Sequence, residues 1–174
     1  MQQMNTNGRR ALEQLYVILD AGERGYAMAS ANVNNRAFKM LFKLHARQRA
    51  GFKQQLYEAV GKNIAKSRPL VQLLAIIHRG PINILAELTI GEQNRERVML
   101  KEVLVGERAA LKAYERAFRK RLPADTMRMV QAQYQHVQQV VAHVRLFDRQ
   151  RDVKRAIQRL KQANFDPAVI AWPR

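Results

Sequence analysis

Along most of this chain apolar residues return at alternating steps of three and four, the period that holds one face of an α-helix against a core. Tyr16, Leu19 and Tyr26 do so, as do Phe38, Leu41 and Phe52, and then Leu100, Leu104, Leu111, Tyr114 and Phe118. No alternating Val/Ile/Thr run bounded by turn residues competes with that pattern. Only 8 glycines and 5 prolines interrupt 174 residues, which leaves room for long helices. The pattern predicts an all-α fold, in one domain large enough to bury a substantial core.

Five helical segments are expected. The first runs from about residue 8 to 31 and closes at the turn Asn32-Val33-Asn34-Asn35. The second covers about 36–65, and a shorter, broken one about 69–88, with Pro69 in its first turn. Gly91 then precedes a long helix to about 121, Leu122-Pro123-Ala124-Asp125 turns the chain, and the last helix spans about 126–162. Four long helices with a short one in the connection suit an antiparallel ferritin-like bundle with a crossover over residues 8–162. Residues 163–174, with Pro167, Trp172 and Pro173, form a tail expected to leave the helix.

Polar residues interrupt the apolar stripes at particular places. Glu23 sits between Leu19 and Tyr26, and Glu107 between Leu104 and Leu111, inside the matching runs Ala21-Gly22-Glu23-Arg24 and Val105-Gly106-Glu107-Arg108. The second helix sets His45 and Gln48 on its stripe, and the last offers His136, Gln139 and His143. Together these bring Glu23, His45, Gln48, Glu107 and His143 toward one interior layer. That layout resembles a carboxylate-bridged di-metal bundle, which uses a Glu from each of two helices and Glu-x-x-His from the other two. Here the second helix reads His45-Ala46-Arg47-Gln48, and Val140 stands three residues before His143. Two carboxylates and neutral imidazoles balance a di-iron pair poorly. The alternative is a hydrogen-bonded polar layer in which the glutamates meet His45, His143, Tyr26 or Tyr114 and fix helix register.

Other chemistries find little support. The chain has no cysteine, so thiol nucleophiles, thiolate zinc sites and disulfides are excluded. It has no Gly-x-Ser-x-Gly elbow, phosphate-cradling glycine loop, His-Glu-x-x-His or dinucleotide fingerprint. The most apolar stretch, residues 69–88, contains Gln72, His78, Arg79, Asn83 and a Gly80-Pro81 break, which argues for a core or interface element over a membrane span. The polar start, Met1 to Asn7, lacks a signal-peptide core, and a cytoplasmic protein is expected. Net charge is +17, from 31 basic and 14 acidic residues, and both halves of the chain are basic. Such a surface attracts phosphate polymers and anionic lipid.

The runs Asp20-Ala21-Gly22-Glu23-Arg24-Gly25-Tyr26, Ala46-Arg47-Gln48-Arg49-Ala50-Gly51-Phe52, His78-Arg79-Gly80 and Gly106 through Tyr114 are similar to those of a bacterial ferritin-like family. Ala142-His143 through Leu146 fits as well. The family comprises small four-helix-bundle proteins known as a domain of unknown function, and the resemblance covers about residues 9–150. It implies a ferritin-like fold, a bacterial cytoplasmic setting and no fixed activity. Members commonly carry an acid where Gln48 stands, so the resemblance weakens a metal role. The reading that follows is a non-enzymatic bundle acting through interaction or assembly, as a homo-oligomer or with a protein partner, without a cofactor. Two alternatives stand beside it: an iron or manganese protein using the five layer residues, and an electrostatic binder of nucleic acid or anionic membrane.

Overall fold

The computed structural model describes residues 4–61 and 92–149. Four α-helices fill that span: α1 (Thr6–Asn32), α2 (Arg36–Val60), α3 (Glu92–Phe118) and α4 (Ala124–Arg149). No strand occurs among the described residues. The short helix expected over 69–88, the last helix beyond 149 and the tail from 163 lie outside them.

Asparagine side chains start the first two helices. Asn5 Oδ1 accepts from the Gly8 amide at 2.7 Å, and Asn35 Oδ1 accepts from the amides of Ala37 and Phe38 at 2.9 and 3.3 Å. Each thereby satisfies donors that the first helical turn leaves without a partner. Between α1 and α2, Val33 is buried as the apolar plug of the turn. The second helix ends five residues earlier than its sequence suggests. Gly61 caps it with φ at 88°, a left-handed conformation that Gly adopts freely, and its amide bonds the Tyr57 carbonyl at 2.8 Å.

Contacts at the two ends of the bundle fix the topology. The Asn35 amide donates to Glu96 at 3.3 Å, which puts the start of α3 beside the α1–α2 turn. At the opposite end Gly8 lies against the backbone carbonyl of Arg121. Helix α1 is therefore antiparallel to both α2 and α3, and α4 is antiparallel to α3. Parallel α2 and α3 then occupy opposite corners of the square, as do α1 and α4. This is the helix order expected of a bundle with one crossover connection.

Close approach at Gly8 gives a direct test. A Cβ there would sit 2.8 Å from the Arg121 carbonyl oxygen, inside any tolerable contact. Gly8→Ala is expected to cost about 1–3 kcal/mol. Gly22→Ala, whose Cβ would meet the Arg49 stem at an ordinary 3.6 Å, is expected to be neutral or to gain up to about 1 kcal/mol from helix propensity. Urea midpoints of the two variants would show opposite displacements from the parent.

Candidate functional site

The apolar core comes in two pieces. One gathers around Leu12, Leu15, Leu56, Tyr114 and Val130, the other around Tyr26, Phe42, Leu104, Val140 and Val144. Between them, at the level of Gly22, His45, Arg49 and Glu107, lies a polar layer.

Glu107 is its centre. Only 2% exposed, it accepts from the Tyr26 hydroxyl at 2.8 Å through Oε1 and from Arg49 Nη2 at 2.5 Å through Oε2. Both partners are themselves buried. Burial alone would lower the Arg49 pKa, but the Glu107 charge outweighs it and holds the guanidinium far above its ordinary value. Burial, then Glu107, pushes Tyr26 well above its usual range, so it stays a neutral donor. The charges of the layer are thus one cation and one anion, joined across the bundle. On its way to Glu107 the aliphatic stem of Arg49 lies across α1 at Gly22. The rings of Tyr26 and Phe52 flank its guanidinium, with centroids 6.0 and 5.6 Å away.

His45 is fully enclosed beside Tyr26, their ring centroids 5.2 Å apart. Burial first and the Arg49 charge second push its pKa down to about 3, so the imidazole is neutral at ordinary pH. Neither of its nitrogens, nor Gln48 Oε1, nor Arg49 Nη1, has a hydrogen-bond partner among the described residues. Groups left so carry a desolvation cost, which the Gln48 side chain eases at His45 by favouring its charged form.

Glu23 departs from expectation. Its side chain is 32% exposed and lies on the flank of α1, where Lys53 Nζ approaches it at 2.7 Å and Asp20 at 2.5 Å. Burial would lower Lys53, but the two carboxylates raise it. Gly22 rather than Glu23 takes the inward position between Leu19 and Tyr26. Arg24 pairs with Asp20 at the surface.

On α4 the polar stripe is displaced as well. Val130, Gln133, Val137, Val140 and Val144 form the inward face. Gln139 is exposed, while His136 and His143 are half-buried. His136 stacks near Phe52 at 6.1 Å between centroids, which places the 136/139/143 stripe on the flank facing α2. Burial lowers the His143 pKa. The buried amide of α4 is Gln133, not singled out from the sequence. It accepts from Tyr114 at 3.0 Å and donates to Gln55 Oε1 at 2.7 Å, tying three helices together.

Of the five layer residues expected, His45, Gln48 and Glu107 share the interior, Glu23 sits on a salt-bridged flank, and His143 is half-buried. Among the described residues no group of three or more His, Cys, Asp or Glu is placed to hold a metal ion. The donor chemistry points the same way: both oxygens of Glu107, the single buried carboxylate among the described residues, are engaged, and a guanidinium lies beside them. A divalent cation would have to compete with Arg49 for Glu107. The residues present do not fit a di-metal centre.

The chain matches the family model of the domain of unknown function DUF2383 over residues 9–120. That span holds most of α1 and all of α2 and α3, with Arg49 and Glu107, and leaves α4 outside. No curated protein and no solved structure matches the chain. No described helix is long and apolar enough to cross a membrane. The chain belongs to the DUF2383 family, as an all-α protein whose four described helices pack as a bundle.

Proposed function

We propose that this protein is a non-enzymatic bundle that works through interaction or assembly at its surface, with its polar layer serving the fold. The observation that carries this reading is the state of Glu107: sealed from solvent, with both oxygens engaged by Arg49 and Tyr26. A carboxylate so held is not offered to substrate as an acid, a base or a ligand. His45, the other buried group able to move a proton, is enclosed and neutral. The surface is where the chain keeps its accessible charge.

Metal loading tests this directly. Protein prepared without an affinity tag, incubated anaerobically with Fe(II) or Mn(II) and desalted, is expected to retain no stoichiometric metal and to keep its Tm. About two equivalents retained per chain together with a raised Tm, the signature of a ligand bound to the native state, would overturn the reading.

A further inference from the structure

We propose that the outward face of α2 is a docking surface for the phosphodiester backbone of nucleic acid. This deepens the reading of the protein as a surface-acting bundle and rests on it. The chain has no acidic residue between Glu23 and Glu58, yet that stretch holds Arg24, Arg36, Lys39, Lys43, Arg47, Arg49 and Lys53. Three of these are spoken for: Arg24 by Asp20, Lys53 by Asp20 and Glu23, and Arg49 by Glu107. The other four, Arg36, Lys39, Lys43 and Arg47, are spaced three, four and four apart, so they line one face of α2. Arg36, Lys43 and Arg47 are exposed and Lys39 is half-buried. At about 1.5 Å rise per residue the row is about 16 Å long.

Among the described residues little acidic charge lies beside this row. Helix α4 has no acidic residue from 126 to 147. Asp20 and Glu23 of α1 are taken by Lys53 and Arg24. Glu96 of α3, which accepts from the Asn35 amide, puts one carboxylate near the Arg36 end of the row, and Glu58 lies at the far end of α2. A linear row of cations with little acidic charge near it matches a polymer with regularly spaced phosphates, which cations bind by releasing condensed counterions. A lipid surface is matched less well. Met40, on this face, and Leu146, on α4, are exposed large hydrophobics, too few to make the apolar side of an interfacial helix.

Helix α3 provides an internal control. It exposes Arg108, Lys112 and Arg116, interleaved with Glu115 and followed just past its end by Arg119, at the corner of the bundle opposite α2. Two full-length variants would each lose four positive charges: Arg36→Gln/Lys39→Gln/Lys43→Gln/Arg47→Gln on α2, and Arg108→Gln/Lys112→Gln/Arg116→Gln/Arg119→Gln on α3. Their helicity and Tm are compared with the parent first. Fluorescence anisotropy then measures binding to labelled duplex DNA, single-stranded DNA and single-stranded RNA across a salt series. Flotation with vesicles containing anionic phosphatidylglycerol forms a further arm.

The expected result is salt-sensitive binding to at least one of the three nucleic acids. The α2 variant should weaken it on the order of 100-fold at low salt and flatten the log–log salt slope by about three units. The α3 variant should leave both nearly unchanged. The nucleic acid with the tightest binding at a fixed salt concentration identifies the source of the phosphodiester chain. Equal losses in the two variants would reduce the effect to net charge and overturn the proposal. Absence of binding by the parent at low salt would also overturn it, as would α2-dependent capture by vesicles with no nucleic-acid binding. None of these failures touches the assignment of the polar layer, which the metal experiment judges separately.

Discussion

Arg49→Met is expected to remove about 3–5 kcal/mol of stability, a large share of the total for a domain of this size, because it leaves Glu107 charged and without its cation in a dry core. The companion variant decides whether the ion pair itself stabilises the fold. In Arg49→Met/Glu107→Leu both charges are gone and apolar side chains of similar bulk replace them. Most of the lost stability should return, and the double variant is expected to be neutral or more stable than the parent by about 1–4 kcal/mol. Adding Tyr26→Phe removes the one hydroxyl that the double change would strand. Urea titrations of the parent, the single, the double and the triple variant make a complete set. A single variant as stable as the parent would mean that Glu107 has another cation, against the geometry described.

Acid should weaken the protein through His45. Its folded pKa of about 3 lies below the ordinary 6.5, so between those values the unfolded chain binds a proton that the folded one refuses. No penalty exists above about pH 6.5, where both states are neutral. As pH falls below it, stability drops by about 1.4 kcal/mol per unit until the folded pKa is reached. At about pH 4.5 the accumulated loss is about 2–3 kcal/mol. His45→Leu should flatten this part of the curve and make the variant comparatively more stable in acid. His143, also lowered by burial, leaves a smaller slope of the same sign in the variant. Parallel profiles for parent and variant between about pH 7 and about pH 4.5 would refute the account of His45 as an enclosed neutral base.

The fold was readable because three-four periodicity survives for long stretches with few breakers, and the asparagines that cap α1 and α2 are visible beside the turns. Which polar residues reach the interior was harder. On α1 two registers share the same spacing: Tyr16, Leu19, Glu23, Tyr26 and Leu15, Leu19, Gly22, Tyr26. The second is the inward one, and Gly22 hides it because a glycine adds nothing to an apolar pattern. Its purpose becomes visible only when a side chain from α2 is found lying across it. On α4 the same ambiguity arose between His136, Gln139, His143 and Val130, Gln133, Val137. The run of valines marked the inward face, and polar side chains of metal-binding type drew attention to the wrong one.

Arg49 was legible in principle. It follows His45 by four and precedes Phe52 by three, on the stripe itself. A single arginine in a chain with 31 basic residues does not announce burial, however. Its place on the stripe separates it from its neighbour Arg47, which is exposed, but the partner that keeps its charge buried, Glu107, lies across the bundle. The expected hydrogen bond between a core tyrosine and a layer glutamate is present, between Tyr26 and Glu107. The cation completing that group could not be found without the three-dimensional pairing of α2 with α3.

Four rods joined only along their edges make a frame that can lean into a rhombus, and apolar contacts, which have no preferred direction, resist such shear weakly. Arg49 and Glu107 connect opposite corners, so their bond is a strut. A brace of that kind makes one cross-section and one axial alignment cheaper than all others, even where it adds little to the depth of the energy well. Release of the strut should be felt first along the α2–α4 edge, the least closely packed of the four.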